Sequence, residues 1–364
     1  MLSTSSRVSG SNAAQSASGT LAASDADSAT TFVAQTNVAG SNGYGKFSID
    51  AAGQWTYTMD SAHNEFVAGQ TYTDSVTVTT ADGTTQILTV TMNGTNDAAA
   101  ISGTSTATLT ESNVAQSASG TLASSDADSA TTFVAQTDVA GPNGYGKFSV
   151  DAAGQWTYTM GSAHNEFAAG QAYTDSVTVA TADGTTQVIT VTINGTNDAA
   201  VITGTSTATL TESNVAQSAS GTLSATDVDS ATTFVAQTNV AGSNGYGKFS
   251  IDGTGQWTYT MDSAHNEFQA GQTYTDSVTV TTADGTTQVL SITLNGTNDA
   301  AVISGTSTAT LTESNVAQSA SGSLSASDAD SATTFVAQTN VAGSNGYGKF
   351  SIDATGQWTY TIDS

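Results

Sequence analysis

A chain of 364 residues with 31 acidic against 5 basic side chains carries a formal net charge of -26, so nucleic-acid backbones and anionic membrane surfaces repel it and cations are its natural partners. It contains no cysteine, which excludes a disulfide framework, a thiolate metal site and a thiol nucleophile. Charged residues make up only 10% and one proline is present, while Thr, Ser, Ala, Gly and Val dominate, a composition that suits short strands joined by tight turns.

The opening MLSTSSRVSGSNAAQSASG has no cationic segment followed by an apolar one, and nowhere do 18 consecutive apolar residues occur. No membrane insertion is expected, and an export signal would lie outside this sequence. SASGTLAAS (16–24) and TTFVAQTNV (30–38) read as the first strands. In GKFSIDAAGQWTYTMD, Phe47 and Ile49 face one way and Lys46, Ser48 and Asp50 the other, and after the turn Trp55, Tyr57 and Met59 alternate with Thr56 and Thr58, which predicts a hairpin. SAHNEF (61–66) is read as one helical turn. Tyr72 stands where a tyrosine-corner residue would, and equally where a plain core tyrosine would. Val76 and Val78 lead into Asp82-Gly83, a two-residue turn signal, and Leu88, Val90 and Met92 return in step, a second hairpin. With the short strand around Thr106 to Leu109 this makes about seven strands per hundred residues, the count of an antiparallel immunoglobulin-like β-sandwich.

The pattern then recurs. Trp55, Trp156, Trp257 and Trp358 each stand in GQWTYT, 101 residues apart, and Asp97, Asp198 and Asp299 in GTNDA keep the same spacing. A period of that size is a whole domain, so the chain is read as all-β beads in series, each with its own core: residues 1–97, 98–198, 199–299 and 300–364. The fourth copy stops at Ser364, the counterpart of Ser162, and lacks counterparts of Ala163 through Asp198. A sandwich without those strands exposes its core and an unpaired edge, so this copy is expected to be disordered, completed by another chain, or continued.

The motifs GTLSATDVDS (221–230), YGKFSIDGTGQWTYTMD (246–262), AGQTYTDSVTVTTADGTTQ (270–288) and GTNDA (296–300), recurring in order over nearly the whole chain, resemble the VCBS repeat. The resemblance implies a cadherin-like or immunoglobulin-like sandwich of the kind found in very long secreted or surface-attached bacterial proteins, often adhesins carrying RTX repeats. Family members usually place proline after GTND. Here Ala98, Ala199 and Ala300 stand there, which leaves the linker less stiff by covalent means.

A calcium site between repeats is expected from Asn96 and Asp97 of the linker with Glu111, Asp126 and Asp128 of the following copy. Calcium takes six to eight hard oxygens, and two carboxylates spaced D-x-D project from one loop toward a shared ion. Cadherin-like modules resemble this arrangement in pairing a linker ND with a DxD loop. The later junctions repeat it with Asn197, Asp198, Glu212, Asp227 and Asp229, then with Asn298, Asp299, Glu313, Asp328 and Asp330. The same residues also fit ordinary solvated turn acids. The first copy keeps Asp25 and Asp27 but has Gly10 in place of the glutamate, so its own N-terminal site is expected to be weak or empty.

His63, His164 and His265, beside Glu65, Glu166 and Glu267, read as surface-turn residues, since no nucleophile or second ligand recurs with them. Lys46 and its equivalents raise the question of a Lys-Asn isopeptide crosslink, but Lys46 shares a strand with inward-facing Phe47 and Ile49 and therefore points out. The NGT tripeptides at Asn93, Asn194 and Asn295 match the glycosylation pattern as one coincidence copied by the repeat.

The expected function is that of a non-enzymatic spacer in the stalk of an extracellular, cell-surface adhesin, its repeats stiffened by calcium. Its partners are then adjacent repeats of the same or neighbouring chains, and cell-surface or biofilm components reached through domains outside this sequence. The alternative is a subunit of an extracellular filament or sheath, assembled head to tail by strand complementation of the fourth copy. A carbohydrate-binding module is disfavoured because Trp55 and Tyr57 fall on the buried side of the pattern.

Overall fold

The computed structural model describes residues 5–9 and 13–363, and the chain divides into two compact units, Met1–Thr196 and Asn197–Ser364. The described residues form strands and turns with no helix, and none of them could cross a membrane as a helix.

In the first unit, repeat 2 shows the complete architecture. Strands Gly146–Val150 and Gln155–Met160 pair as a hairpin in which Phe148 opposes Tyr158 and Val150 opposes Trp156. All four are buried, while Lys147, Gln155, Thr157 and Thr159 on the alternate positions are exposed, as strand period 2 requires. Gln136–Ala140 pairs with one side of this hairpin, Ser117–Ser125 with the other, and Ala100–Gly103 completes a five-stranded antiparallel sheet. The opposing sheet holds Ala172–Ala180, Thr186–Asn194 and Thr106–Thr110, the last running parallel to its neighbour.

Eight strands therefore stand where about seven are expected, because the first one is divided between the two sheets. The crossing occurs after Gly103, whose φ of +100° is open to glycine, and where a Cβ would meet the Thr121 carbonyl at 2.4 Å. The Trp156 indole locks the crossing by donating to the Thr104 carbonyl at 2.7 Å. Leu122, Phe133, Phe148, Trp156, Tyr158, Val179, Ile189, Val191 and Ile193 fill the space between the sheets. Repeat 1 repeats the plan, with a four-stranded sheet facing a three-stranded one in which Ser5–Ser9 runs parallel to Thr89–Asn93.

The SAHNEF segment is a single hydrogen-bonded turn, a correction to the expected helical turn. Phe66 N–H donates to the His63 carbonyl at 3.0 Å, and His63 has a φ of +53°, a left-handed conformation that cannot propagate a right-handed helix. Tyr72 behaves as a corner residue: its hydroxyl accepts from Val67 N–H, five residues upstream, and its ring stacks on Phe66.

One inward position was invisible in the hydrophobic pattern. On the Ala172–Ala180 strand the face carrying Val177 and Val179 also carries Asp175, and Asp74 and Asp276 occupy the same buried place in their repeats. The Asp276 carboxylate accepts from the backbone N–H groups of Asn244, Tyr246, Gly247 and Ser277 and from the Tyr259 hydroxyl, at 2.9–3.2 Å. It thus ties the 242–247 loop of one sheet to a strand of the other. Burial, then the Asp276 charge, push the Tyr259 hydroxyl's pKa up.

In the second unit, repeat 3 has the same two sheets. Repeat 4 forms the five-stranded sheet from Val302–Gly305 to Gln357–Ile362, with the register of its predecessors. Among the described residues it has no counterpart of the Thr273–Asn295 hairpin, and residues 306–311 form no strand. The inner face opens to solvent, and Phe350 is 46% exposed where Phe249 is buried.

Candidate metal centre at the domain junctions

Each junction begins with a D-x-D loop held by its own backbone. Asp126 Oδ1 accepts from the N–H groups of Asp128 and Ser129 at 2.9 and 2.7 Å, the Asx-turn geometry a short carboxylate favours. The linker before it is fastened to this loop. Asp97 N–H donates to Asp128 Oδ1 at 3.3 Å, the Asn96 amide donates to the Asp97 carbonyl at 2.9 Å, and Ser129 Oγ donates to Asn96 Oδ1 at 3.2 Å. Two residues on, Ala99 N–H donates to Asp183 Oδ2 and Thr185 Oγ1, at the far hairpin turn of repeat 2. The Thr181 and Thr185 hydroxyls, with that N–H, hold Asp183 well below the usual carboxylate range. Hydrogen bonds therefore supply some of the restraint that proline would give the linker.

The second unit contains the junction of repeats 3 and 4 with all its parts. Asp299 N–H donates to Asp330 Oδ1, Asp328 Oδ1 caps Asp330 and Ser331, and Ser331 Oγ bonds Asn298 Oδ1 at 3.0 Å. Glu212 joins from the other end of repeat 3, its Oε2 accepting from Thr297 N–H at 3.2 Å and Thr297 Oγ1 at 2.5 Å. Burial first, then repulsion from Glu212, Asp330 and Asp328, push the Asp299 carboxyl's pKa up.

This geometry corrects the expected grouping of the glutamates. Glu111 does not sit with Asn96, Asp97, Asp126 and Asp128: its carboxylate is held by Thr196, 85 residues further on. Glu212 likewise belongs with Asp299, Asp328 and Asp330 rather than with Asn197, Asp198, Asp227 and Asp229, and Glu313 is exposed. The cause is the parallel pairing of Thr106–Thr110 with Thr190–Asn194, which carries the residue after Thr110 to the C-terminal end of its own repeat. Asp227 and Asp229 form the same loop as their counterparts, with Asp198 N–H on Asp229 Oδ1.

What sets these acids apart from solvated turn residues is burial without partners. Glu212, Asp299 and Asp330 are 3%, 9% and 7% exposed, and one oxygen of each, Oε1, Oδ2 and Oδ2, is buried with no hydrogen-bond donor. Glu111 Oε1 and the Oδ2 atoms of Asp126, Asp128, Asp227 and Asp229 share that condition. A buried carboxylate oxygen without a donor costs several kcal/mol unless a cation faces it, so hard anionic oxygens collected in this way fit calcium. Among the described residues no three acidic or histidine side chains are gathered tightly enough to hold an ion as they stand.

Residues 96–195 and 197–296 each match the bacterial cadherin-like domain, and residues 3–94 match the bacterial Ig domain. The chain belongs to the bacterial cadherin-like domain family. The family matches span the repeats whose two-sheet folds are described above, and make the chain a tandem array of all-β cadherin-like and immunoglobulin-like domains. No curated protein matches it. Among solved structures it is similar to protocadherin gammaB7 EC3-6, a cis-dimer structure, at 12% identity over 99% of this chain and 90% of that one, with a TM-score of 0.44. Mouse cadherin-23 EC22-24 is similar at 15% identity over 82% and 96%, with a TM-score of 0.38. The human desmocollin-1 ectodomain is similar at 14% over 92% and 66%, with a TM-score of 0.29.

The histidines of these cadherin-like repeats are structural. His63 Nδ1 lies 2.7 Å from Glu65, its Nε2 lies 2.8 Å from the Tyr44 carbonyl and 2.9 Å from Asp60, and its ring stacks on Phe66. Burial disfavours the imidazolium, but the bonds to Glu65, Tyr44 and Asp60 outweigh it, and His63 and His265 are held above 6.5. Stability from these contacts is therefore complete below that value and lost as pH rises through the shifted midpoints. Proton NMR titration is expected to place both midpoints above the ordinary imidazole value, and a midpoint at or beneath it would contradict the arrangement. Lys46, Lys147 and Lys248 are exposed on the outer face, as their strand parity requires.

Proposed function

We propose that this chain is a length of spacer from an extracellular bacterial surface adhesin, a run of VCBS-type sandwiches whose junctions are stiffened by calcium. The observation that carries the reading is the set of buried, donorless carboxylate oxygens on Glu212, Asp299 and Asp330. These residues belong to three separate parts of the chain: the end of repeat 3's first strands, the linker, and the D-x-D loop of repeat 4. An ion held by them would neutralise their repulsion and join one bead to the next through its linker, which restricts bending. The sequence supplies the same residue types at Glu111, Asp198, Asp227 and Asp229. The beads are taken as residues 1–97, 98–198, 199–299 and 300–364, with no catalytic role, and adhesion itself belongs to domains outside this sequence.

Asp328→Ala combined with Asp330→Ala is expected to remove one calcium site by isothermal titration and to shorten the maximum dimension measured by X-ray scattering in calcium, without unfolding repeat 3. Equal calcium stoichiometry in variant and parent, or no binding by either at millimolar calcium, would refute the ligand assignment.

The alternative reading is a filament subunit joined head to tail by strand complementation. The open face of repeat 4, with Tyr347, Phe350, Trp358, Tyr360 and Ile362, lines a groove of about 760 Å³. A hairpin like Thr273–Asn295 would cover it, whether donated by a neighbour or carried on the same polypeptide. Sedimentation separates the two readings: concentration-dependent polymers favour the filament and a monodisperse rod the spacer.

A further inference from the structure

The junction of repeats 3 and 4 draws one carboxylate from the repeat that precedes it, and the strand geometry explains how. In repeat 2, Thr110 pairs in parallel register with Asn194, so Glu111 N–H donates to the Asn194 carbonyl at 2.8 Å and Thr196 clasps the Glu111 carboxylate. In repeat 3, Thr211 pairs with Asn295, and Glu212 meets Thr297 in the same way. Repeat 1 keeps the pairing, with Ser9 opposite Asn93, but the residue that follows Ser9 in the sequence is Gly10. Thr95, the counterpart of Thr196 and Thr297, is exposed where those two are half-buried against their glutamates.

The rest of the first junction is intact. Asn96, Asp97, Asp126 and Asp128 make the same bonds as their counterparts, and Asp126 Oδ2 and Asp128 Oδ2 are buried without a donor. At the third junction Glu212 is held by Thr297, two residues before Asp299. One junction thus offers three carboxylates, Asp97, Asp126 and Asp128, and the other offers four, Glu212, Asp299, Asp328 and Asp330. Calcium affinity is set by ligand charge and ligand number, so losing one carboxylate from a small set weakens the site.

Resting on the calcium reading above, we infer that the junction of repeats 1 and 2 is the weak calcium site, and that it works as a hinge which stays loose at calcium concentrations where the junction of repeats 3 and 4 is already stiff. The difference is written in one residue, Gly10, whose place in the repeat is that of Glu111 and Glu212. At low calcium the spacer is jointed at this point, and at high calcium it is stiff there as well.

Limited proteolysis of the full 364-residue chain reads the junctions separately. Elastase cuts after alanine, and the linkers carry Ala98, Ala99 and Ala100 at the first junction and Ala300 and Ala301 at the third. With free calcium buffered over a series and fragments identified by mass, protection of the first linker is expected to need about tenfold more calcium than protection of the third. Gly10→Glu is expected to bring the two midpoints together, and Glu212→Gln to raise the third toward the first, while Gly10→Ala leaves them apart. Equal midpoints in the unaltered chain, or midpoints that neither Gly10→Glu nor Glu212→Gln moves, would overturn the hinge while leaving calcium binding in place. Failure of millimolar calcium to protect any linker would overturn the calcium reading itself.

Discussion

Replacing Trp156 by alanine is expected to destabilise repeat 2 by about 3 to 5 kcal/mol, the usual cost of emptying a site filled by a large buried aromatic. The side chain is 1% exposed and packs between the two sheets. Gly120 lies directly across the ladder, and a Cβ there would come within 2.6 Å of the indole, so no neighbouring side chain stands ready to collapse into the cavity. The variant also frees the Thr104 carbonyl, which the indole N–H satisfies where the chain crosses between sheets. A domain of this size is stable by about 5 to 15 kcal/mol, so the change removes a large share of it. Because the buried clusters of repeats 1, 2 and 3 share no residue, the calorimetric loss should be confined to one transition. A loss spread over all transitions would contradict independent cores.

Asp276→Ala should cost repeat 3 a comparable amount, about 3 to 5 kcal/mol, for the opposite chemical reason. Asp276 is 0% exposed, and its removal leaves four backbone N–H groups and the Tyr259 hydroxyl without their acceptor. The Gly247 N–H and the Tyr259 hydroxyl are buried with the carboxylate and cannot turn to water. Glycine at 242 is part of that packing, since a Cβ there would meet the carboxylate at 2.1 Å. Asp276→Asn restores volume but offers an amide N–H to the same donors, so rescue should be partial at best. Urea unfolding of the three proteins measures this, and an asparagine variant as stable as the parent would show that the carboxylate's charge is dispensable.

Much of the molecule is legible in the order of its residues. Strand parity alone assigned Phe47, Ile49, Trp55, Tyr57 and Met59 to the interior and Lys46 to the surface, because alternate side chains on a strand have no choice but opposite faces. The hairpin of Val78 and Leu88 followed from Asp82-Gly83, whose turn chemistry is local. The repeat of 101 residues needed only counting. The residue types of the junctions were equally plain, since acids in D-x-D loops and linkers are visible wherever they stand.

Partnership between distant residues was not legible. Parity says which face a side chain takes but not which strand will lie beside it, so the parallel pairing of Thr106–Thr110 with Thr190–Asn194 could not be read, and with it went the true place of Glu111. The same limit hid Asp276, because an aspartate among threonines on a strand looks like a surface residue until a loop from the other sheet supplies its donors. The splitting of the first strand at Gly103 depended on the Thr121 carbonyl standing too close for any Cβ. Local backbone chemistry and periodicity act within a few residues and were set by the amino-acid order alone; the junction chemistry depends on chain segments 85 residues apart meeting at one end of a sheet, and only the packing of the two sheets brings them there.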